Sequence, residues 1–529
     1  MKSKWANKPM NKWESRLSSF TLPRRLGSPL LLGGVVLLVY LLTMAPRLTW
    51  ATRLAQAHIG RDGGDFISAA WVLGVPHPTG YPTYTMLAWL FTRLPFGGVA
   101  WRVHLLSGLA GTGTVMLAYL IGRQRTRALE WATSPMIVGA AVGALLLAFA
   151  PLFWGHAIIA EVHTLHLFFI ALVLWLMLRW RDGEGPLPLA ALVFGLGMGN
   201  HITLAFLGPT ILMLLWCGRA RLSWRGVFLS ALALLAGLMV YAYLPWRAST
   251  DPLINWGDPD NRESFWWMVS GRGYRRFFFA WPRAELMPRL ENWGAISRGQ
   301  FPLVAWALSP LGLWALARRD RWLALGSLVH AALCLVYSVG YGTTDAFVYL
   351  LPAYFYAALW MGQGAALLLQ ELRKSVRRQA LMTSLLALGL LALPLISLAT
   401  RWEGMDLTDD WEVDAYAQDA LGGVEPGALI LVESDAYTFA LWYYHYVEEL
   451  RPDVLVINYP MLSFEWYRHT VEVHHPEVLV SGPDAKRMTK LDMVLRNLDQ
   501  RAVYIAEDAD DLPGMQLTPV GRLWQVTTP

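Results

Sequence analysis

The stretch Gly60-Arg61-Asp62-Gly63-Gly64-Asp65-Phe66 sets two carboxylates three residues apart beside paired glycines. It runs on to Gly74-Val75-Pro76-His77-Pro78-Thr79-Gly80-Tyr81-Pro82. A carboxylate held within hydrogen-bond reach of a hydroxyl, and shielded from competing water, can act as its general base. Asp65 is the favoured base and Asp62 the other candidate, with His77 and Tyr81 as substrate-binding neighbours. The plainer reading makes Asp62 or Asp65 the cap of a helix starting near Phe66. On that reading residues 76–82 are only a rigid proline turn.

Other ionisable residues punctuate apolar sequence. Glu161, His163 and His166 open one long apolar run, Asn200 and His201 sit between two more, and Asp345 precedes another. Charge at membrane depth is costly and normally lines a cavity. Glu161, His163, Asn200, His201 and Asp345 are therefore substrate-binding candidates. The i, i+2, i+5 spacing of Glu161, His163 and His166 shares a helical face only in part. A divalent metal is conceivable there but not indicated, and no cofactor is expected. Arg102, Arg247, Asp258 and Arg272 complete the candidate set. Arginine forks suit phosphate oxygens. Interfacial anchoring beside Trp266, Trp267 and Phe277 to Phe279 competes with that role for the arginines of the 246–301 loop.

The elements that must position these residues are membrane helices. The 529 residues are 55% hydrophobic and 16% charged, whereas a soluble chain carries about a quarter charged residues. Apolar runs fall at 28–45, 103–121, 134–152, 158–178, 187–200, 202–217, 226–245, 302–317, 322–340, 347–370 and 380–399. These predict about eleven spans. Segment 84–96 holds Arg93 and Pro95 and reads as an interfacial amphipathic helix. With that assignment the basic clusters of alternate loops lie on the side of the basic tail 1–27, which the positive-inside rule makes cytoplasmic, and the arginines of the 246–301 loop break the pattern. The loops 46–102 and 246–301 and the segment 400–529 then share the outer face, and the C-terminus lies outside. The apolar stretch near Leu30 to Thr43 lacks a small-residue cleavage site, so it reads as a retained span and not a signal peptide. Two cysteines, Cys217 and Cys334, exclude a disulfide framework. Basic residues confined to short loops argue against nucleic acid as a partner. Within 400–529, strands at Ala428–Val432, Val454–Asn458 and Val503–Ala506 and a helical stretch at Tyr437–Leu450 predict a small α/β domain. It has no glycine-rich phosphate loop.

Several motifs occur in order: Asp62-Gly-Gly-Asp-Phe, His77-Pro-Thr-Gly-Tyr-Pro, Trp101-Arg-Val-His-Leu-Leu-Ser, Ile159-Ala-Glu-Val-His-Thr-Leu, Gly199-Asn-His and Ile254-Asn-Trp-Gly-Asp-Pro. Together they resemble the membrane protein O-mannosyltransferase-like family of the glycosyltransferase-C superfamily, over residues 30 to 360 and more weakly over Leu441–Trp466. This chain departs from the family pattern with Asp65 for Glu, Thr79 for Pro and His104 for Asn. It also has His163 and His166 in place of Tyr and Asn. The resemblance implies an inverting membrane glycosyltransferase. Such an enzyme moves mannose or another hexose from a polyprenyl- or dolichyl-phosphate carrier to a hydroxyl of a protein or glycan. It implies a catalytic acid in the first outer loop and a multi-pass location, read here as the bacterial inner membrane. A transporter or flippase of lipid-linked sugars is the rival. That reading calls for mid-membrane charges and an internal repeat, and no convincing repeat is visible.

Overall fold

The computed structural model describes residues 24–54, 59–123, 134–375, 379–478, 489–507 and 512–529. Most of the basic tail, Arg125 and Arg127, and Arg377 and Arg378 lie outside the described residues. Each of the eleven apolar runs falls on a helix. Five helices are long and apolar enough to cross a membrane: Val99–Gly122, Val162–Asp182, Trp224–Ala248, Arg321–Gly340 and Leu381–Met405. Two helix pairs bent by 68° and 94°, at 135–157 and 283–319, raise the number to as many as seven. Ser28–Thr43, Leu187–Met198 and Ile202–Cys217 are shorter apolar helices. The chain is thus an integral, multi-pass membrane protein.

In lipid, apolar side chains gain little by leaving one neighbour for another, so helices associate through close backbone packing at small residues. Gly312 shows this most sharply, because a Cβ there would stand 1.6 Å from the Trp360 carbonyl oxygen. The Gly195 and Gly237 backbones meet in the same way. On the other side of that second helix, Val227, Phe228, Leu229, Leu232 and Leu235 are exposed, which suits a lipid-facing surface.

The C-terminal region holds a five-stranded sheet of order β2-β1-β3-β5-β4. Strands β1 (Leu429–Val432), β2 (Leu455–Asn458) and β3 (Val503–Ile505) are parallel. Every residue of these three is buried, as expected for parallel strands covered on both faces. A hairpin of β4 (Gln516–Val520) and β5 (Leu523–Thr527) adds antiparallel strands that the sequence reading did not contain.

Short polar contacts fasten this domain to both long loops. Arg47 pairs with Asp414 at 2.9 Å, and Thr49 donates to Asp410 at 2.6 Å. From the other loop, Asp251 meets His469 at 3.4 Å, and Trp256 packs on Trp466 with ring centroids 5.4 Å apart. Gly64 makes the closest approach, since a Cβ there would stand 2.2 Å from the Phe439 carbonyl oxygen. Loops 46–102 and 246–301 and the C-terminal domain therefore meet at one end of the helical bundle.

Candidate active site

Asp62 sits at the N-cap position of helix Gly63–Val72, but its side chain makes no capping hydrogen bond. Asp65, in the first turn, is fully buried. Its Oδ2 accepts from the His77 backbone N–H at 3.0 Å and bonds His77 Nδ1 at 2.7 Å. Its Oδ1 accepts from Trp256 Nε1 at 3.1 Å. Asp62 thus holds the cap position without a side-chain capping bond, and the Asp65 carboxylate is engaged elsewhere. A carboxylate on Nδ1 fixes the proton there and turns Nε2 outward. Nε2 lies 3.9 Å from Asp62 Oδ2. Phe439 from the C-terminal domain stacks on the His77 ring, with centroids 6.4 Å apart and planes 12° apart.

The charges shift one another. The Asp62 side chain is 44% exposed and lines a cavity. Burial raises its pKa to about 6; His77 opposes the rise, while Asp345 and Asp65 add to it. Burial alone would depress His77, yet the hydrogen bond it donates to Asp65 and the charge of Asp62 outweigh it and leave the imidazole above its ordinary value. The result is a histidine of raised pKa between an enclosed carboxylate and an open one.

The cavity measures about 520 Å³. Asp62, His77, Tyr81, Glu161, His163, His201 and Asp345 line it, so seven sequence-predicted residues converge from four parts of the chain. The Glu161 carboxylate is 6% exposed, with His163 Nε2 3.9 Å away. Phe206, Phe277, Tyr337, Tyr341 and Tyr349 form an aromatic wall. The sequence reading missed Trp256, Asp435 and Phe439, which also line it. Trp256 carried a signal, because it is the tryptophan of the Asn-Trp-Gly-Asp-Pro motif. Asp435 and Phe439 carried none, since only tertiary docking brings them here.

Five candidates lie elsewhere. Arg102 spends its guanidinium on the carbonyls of Thr92, Phe96 and Gly97. Arg247 bonds the Leu73 and Val72 carbonyls at 2.5 and 3.4 Å, which satisfies the open C-terminal end of helix Gly63–Val72. Both arginines hold loop backbone and do not reach the cavity. Asn200 donates to the Val162 carbonyl at 3.2 Å and so fixes the turn beside Glu161. Asp258 accepts from Asn255 at 3.0 Å within its own loop. Arg272 lines a neighbouring groove of about 530 Å³ with Arg262, Glu263, Arg275, Trp266, Trp267 and Ser270. Ser270 also lines the central cavity, so the two are contiguous. Among the described residues, no group of three His, Cys, Asp or Glu is arranged to hold a metal ion.

Comparison with known proteins fits this arrangement. Residues 62–224 match the family model of the protein O-mannosyl-transferase TMEM260 N-terminal domain, and residues 413–477 match TMEM260-associated domain 2. The chain is 28% identical over 440 residues to protein O-mannosyl-transferase TMEM260 of Mus musculus, covering 77% of this chain and 60% of that protein. It is 22% identical over 521 residues to the Dictyostelium discoideum protein of the same name, covering 85% and 61%. The chain thus spans about three fifths of the length of these curated relatives. Its fold resembles ArnT from Cupriavidus metallidurans bound to undecaprenyl phosphate, with a TM-score of 0.57 at 15% identity over 94% of this chain and 98% of ArnT. The apo state of ArnT matches with a TM-score of 0.52 over 95% and 98%. The expected resemblance to the O-mannosyltransferase-like family, and to a glycosyltransferase-C fold, is therefore found.

Proposed function

We propose that this relative of the TMEM260 O-mannosyl-transferases moves mannose or another hexose from a polyprenyl-phosphate carrier to a protein hydroxyl. The relatives' names support the sugar and the protein acceptor, and the undecaprenyl phosphate in the ArnT structure supports the carrier class. The reaction lies on the outer membrane face, with the N-terminus cytoplasmic. A lipid-bound phosphate must stay at headgroup level, and the positive-inside pattern assigns the two long loops and the sheet domain to that side.

The observation that carries the reading is the pairing of an open Asp62 with a His77 held by the enclosed Asp65. Asp65 has both oxygens engaged and no exposure, so it cannot meet an acceptor without breaking those bonds. We therefore assign the base to Asp62 and make Asp65 the group that orients His77, reversing the preference drawn from sequence. Asp62 takes the proton of the acceptor hydroxyl as its oxygen attacks the anomeric carbon. The bond from that carbon to the phosphate oxygen breaks, and the carrier phosphate leaves. Attack opposite the leaving group inverts the anomeric centre. His77 bears on the charge of Asp62 and keeps its pKa from climbing further. Arg272, Arg275 and Arg262 stand in the adjoining groove, where charge-assisted hydrogen bonds would stabilise the departing phosphate.

Purified protein in detergent, given polyprenyl-phosphate mannose and a serine- or threonine-bearing peptide, should release polyprenyl phosphate and glycopeptide without any ion gradient. Absence of both products, with intact donor recovered, would overturn the reading.

A further inference from the structure

The C-terminal domain is more than a neighbour of the cavity. Its helix Asp435–Trp442 lies so close to helix Gly63–Val72 that only a glycine at position 64 admits the Phe439 carbonyl. From that seat Phe439 stacks on His77 and meets Trp256 edge-on, with centroids 6.4 and 6.1 Å away. These are the two side chains that hold Asp65 in place. One turn earlier on the same helix, the Asp435 side chain faces the cavity. The sheet domain thus contributes one wall of the reaction chamber.

That wall has a charge, and so does the rest of the chamber. Asp435 comes from the sheet domain, Asp345 from the loop ahead of helix Leu351–Ser375, Asp62 from the first loop and Glu161 from a span end. Among the described residues, no lysine or arginine lines the chamber. Three arginines, with Glu263, line the groove beyond Ser270. An anionic donor phosphate is suited to that groove, and the chamber is left for groups that tolerate negative surroundings. Like charges brought together with low-dielectric walls repel strongly, and opposite charges steer approach. Partners are selected as much by such repulsion as by attraction.

We propose that segment 435–439 is the acceptor-side wall of the active site, and that Asp435 on it selects hydroxyl-bearing peptides flanked by basic residues over those flanked by acidic ones. This inference rests on the transferase reading above and goes beyond it in naming the acceptor class and the domain that reads it. Phe439 acts as a positioning residue through His77, and Asp435 as a specificity residue.

The test uses the full-length protein in detergent, polyprenyl-phosphate mannose and two synthetic threonine peptides that differ only in lysine or glutamate beside the threonine. The wild-type protein should favour the lysine peptide by roughly tenfold in kcat/KM. Asp435→Asn should bring that ratio close to one by raising KM for the lysine peptide, with donor KM moving less than about twofold. Asp435→Glu, which keeps the charge, should restore most of the preference. Equal use of the two peptides by the wild-type protein overturns the proposal, as does a ratio untouched by Asp435→Asn. Transfer to neither peptide, with donor still hydrolysed to free sugar, also overturns it and spares the transferase reading. Loss of donor turnover altogether in the wild-type protein would instead strike the transferase reading. For Phe439, Phe439→Leu should lower kcat and move the acid side of the pH profile, whereas a merely structural role would lower the yield of folded protein and leave the profile in place.

Discussion

The central cavity and the groove beside it share Ser270 and little else. One is ringed by carboxylates, histidines and aromatic rings. The other presents three arginines and one carboxylate, Glu263, beside two tryptophans. The groove is thus net positive, and arginines in the cavity would neutralise the base. The division lets one site hold an anion while a carboxylate a short way off stays free to take a proton. It also separates two kinds of arginine in the same loops. Arg102 and Arg247 are occupied by backbone carbonyls, while Arg272 lines the groove.

Substitutions should break this contrast in graded steps. The largest effect belongs to Asp62→Asn, which removes the base and should lower kcat about a thousandfold, within the span usual for a lost general base. Circular dichroism and thermal unfolding should remain near wild type, because the Asp62 side chain makes no capping hydrogen bond. His77→Gln should cost about a hundredfold and should also shift the pH profile. Asp62 must be deprotonated to act, so activity in the wild-type protein should fall as pH drops through about 6. His77 lowers the Asp62 pKa, so its loss should carry that acid limb to higher pH. A limb that moves down, or stays, would contradict the coupling. On the groove side, the double change Arg272→Gln with Arg275→Gln should raise donor KM roughly tenfold, the worth of about one charge-assisted hydrogen bond. The acid limb should not move with it. Smallest in direct chemical effect is Gly64→Ala. It presses a methyl group into the Phe439 carbonyl and should destabilise the fold by about 1–3 kcal/mol, read as a lower melting temperature.

How far the sequence disclosed this arrangement differs by element, for physical reasons. Lipid demands runs of apolar residues of one length, and those runs fall on helices, 134–152 on a pair bent by 68°. Strands β1 to β3 were legible because burial on both faces makes them continuously apolar. Strands β4 and β5 were not, since Gln516–Val520 and Leu523–Thr527 mix exposed and buried residues at the edge of the sheet. The reactive residues of 62–81 were visible by type. Which carboxylate faces the cavity was not, because it depends on Trp256 reaching Asp65 across 191 residues of sequence. Asp435 and Phe439 escaped for the same reason. Arg102 and Arg247 misled because a guanidinium that satisfies carbonyls has the same composition signal as one that holds phosphate.

The most direct test sets Asp62→Asn beside Asp65→Asn, with donor affinity and sugar transfer measured on each purified variant. If Asp62 is the base, Asp62→Asn binds polyprenyl-phosphate mannose about as tightly as the wild-type protein and transfers almost none of it. Asp65→Asn, which keeps Asp62, should retain measurable transfer with its acid limb displaced. Full turnover by Asp62→Asn, with turnover abolished only in Asp65→Asn, would contradict the account and return the role of base to Asp65.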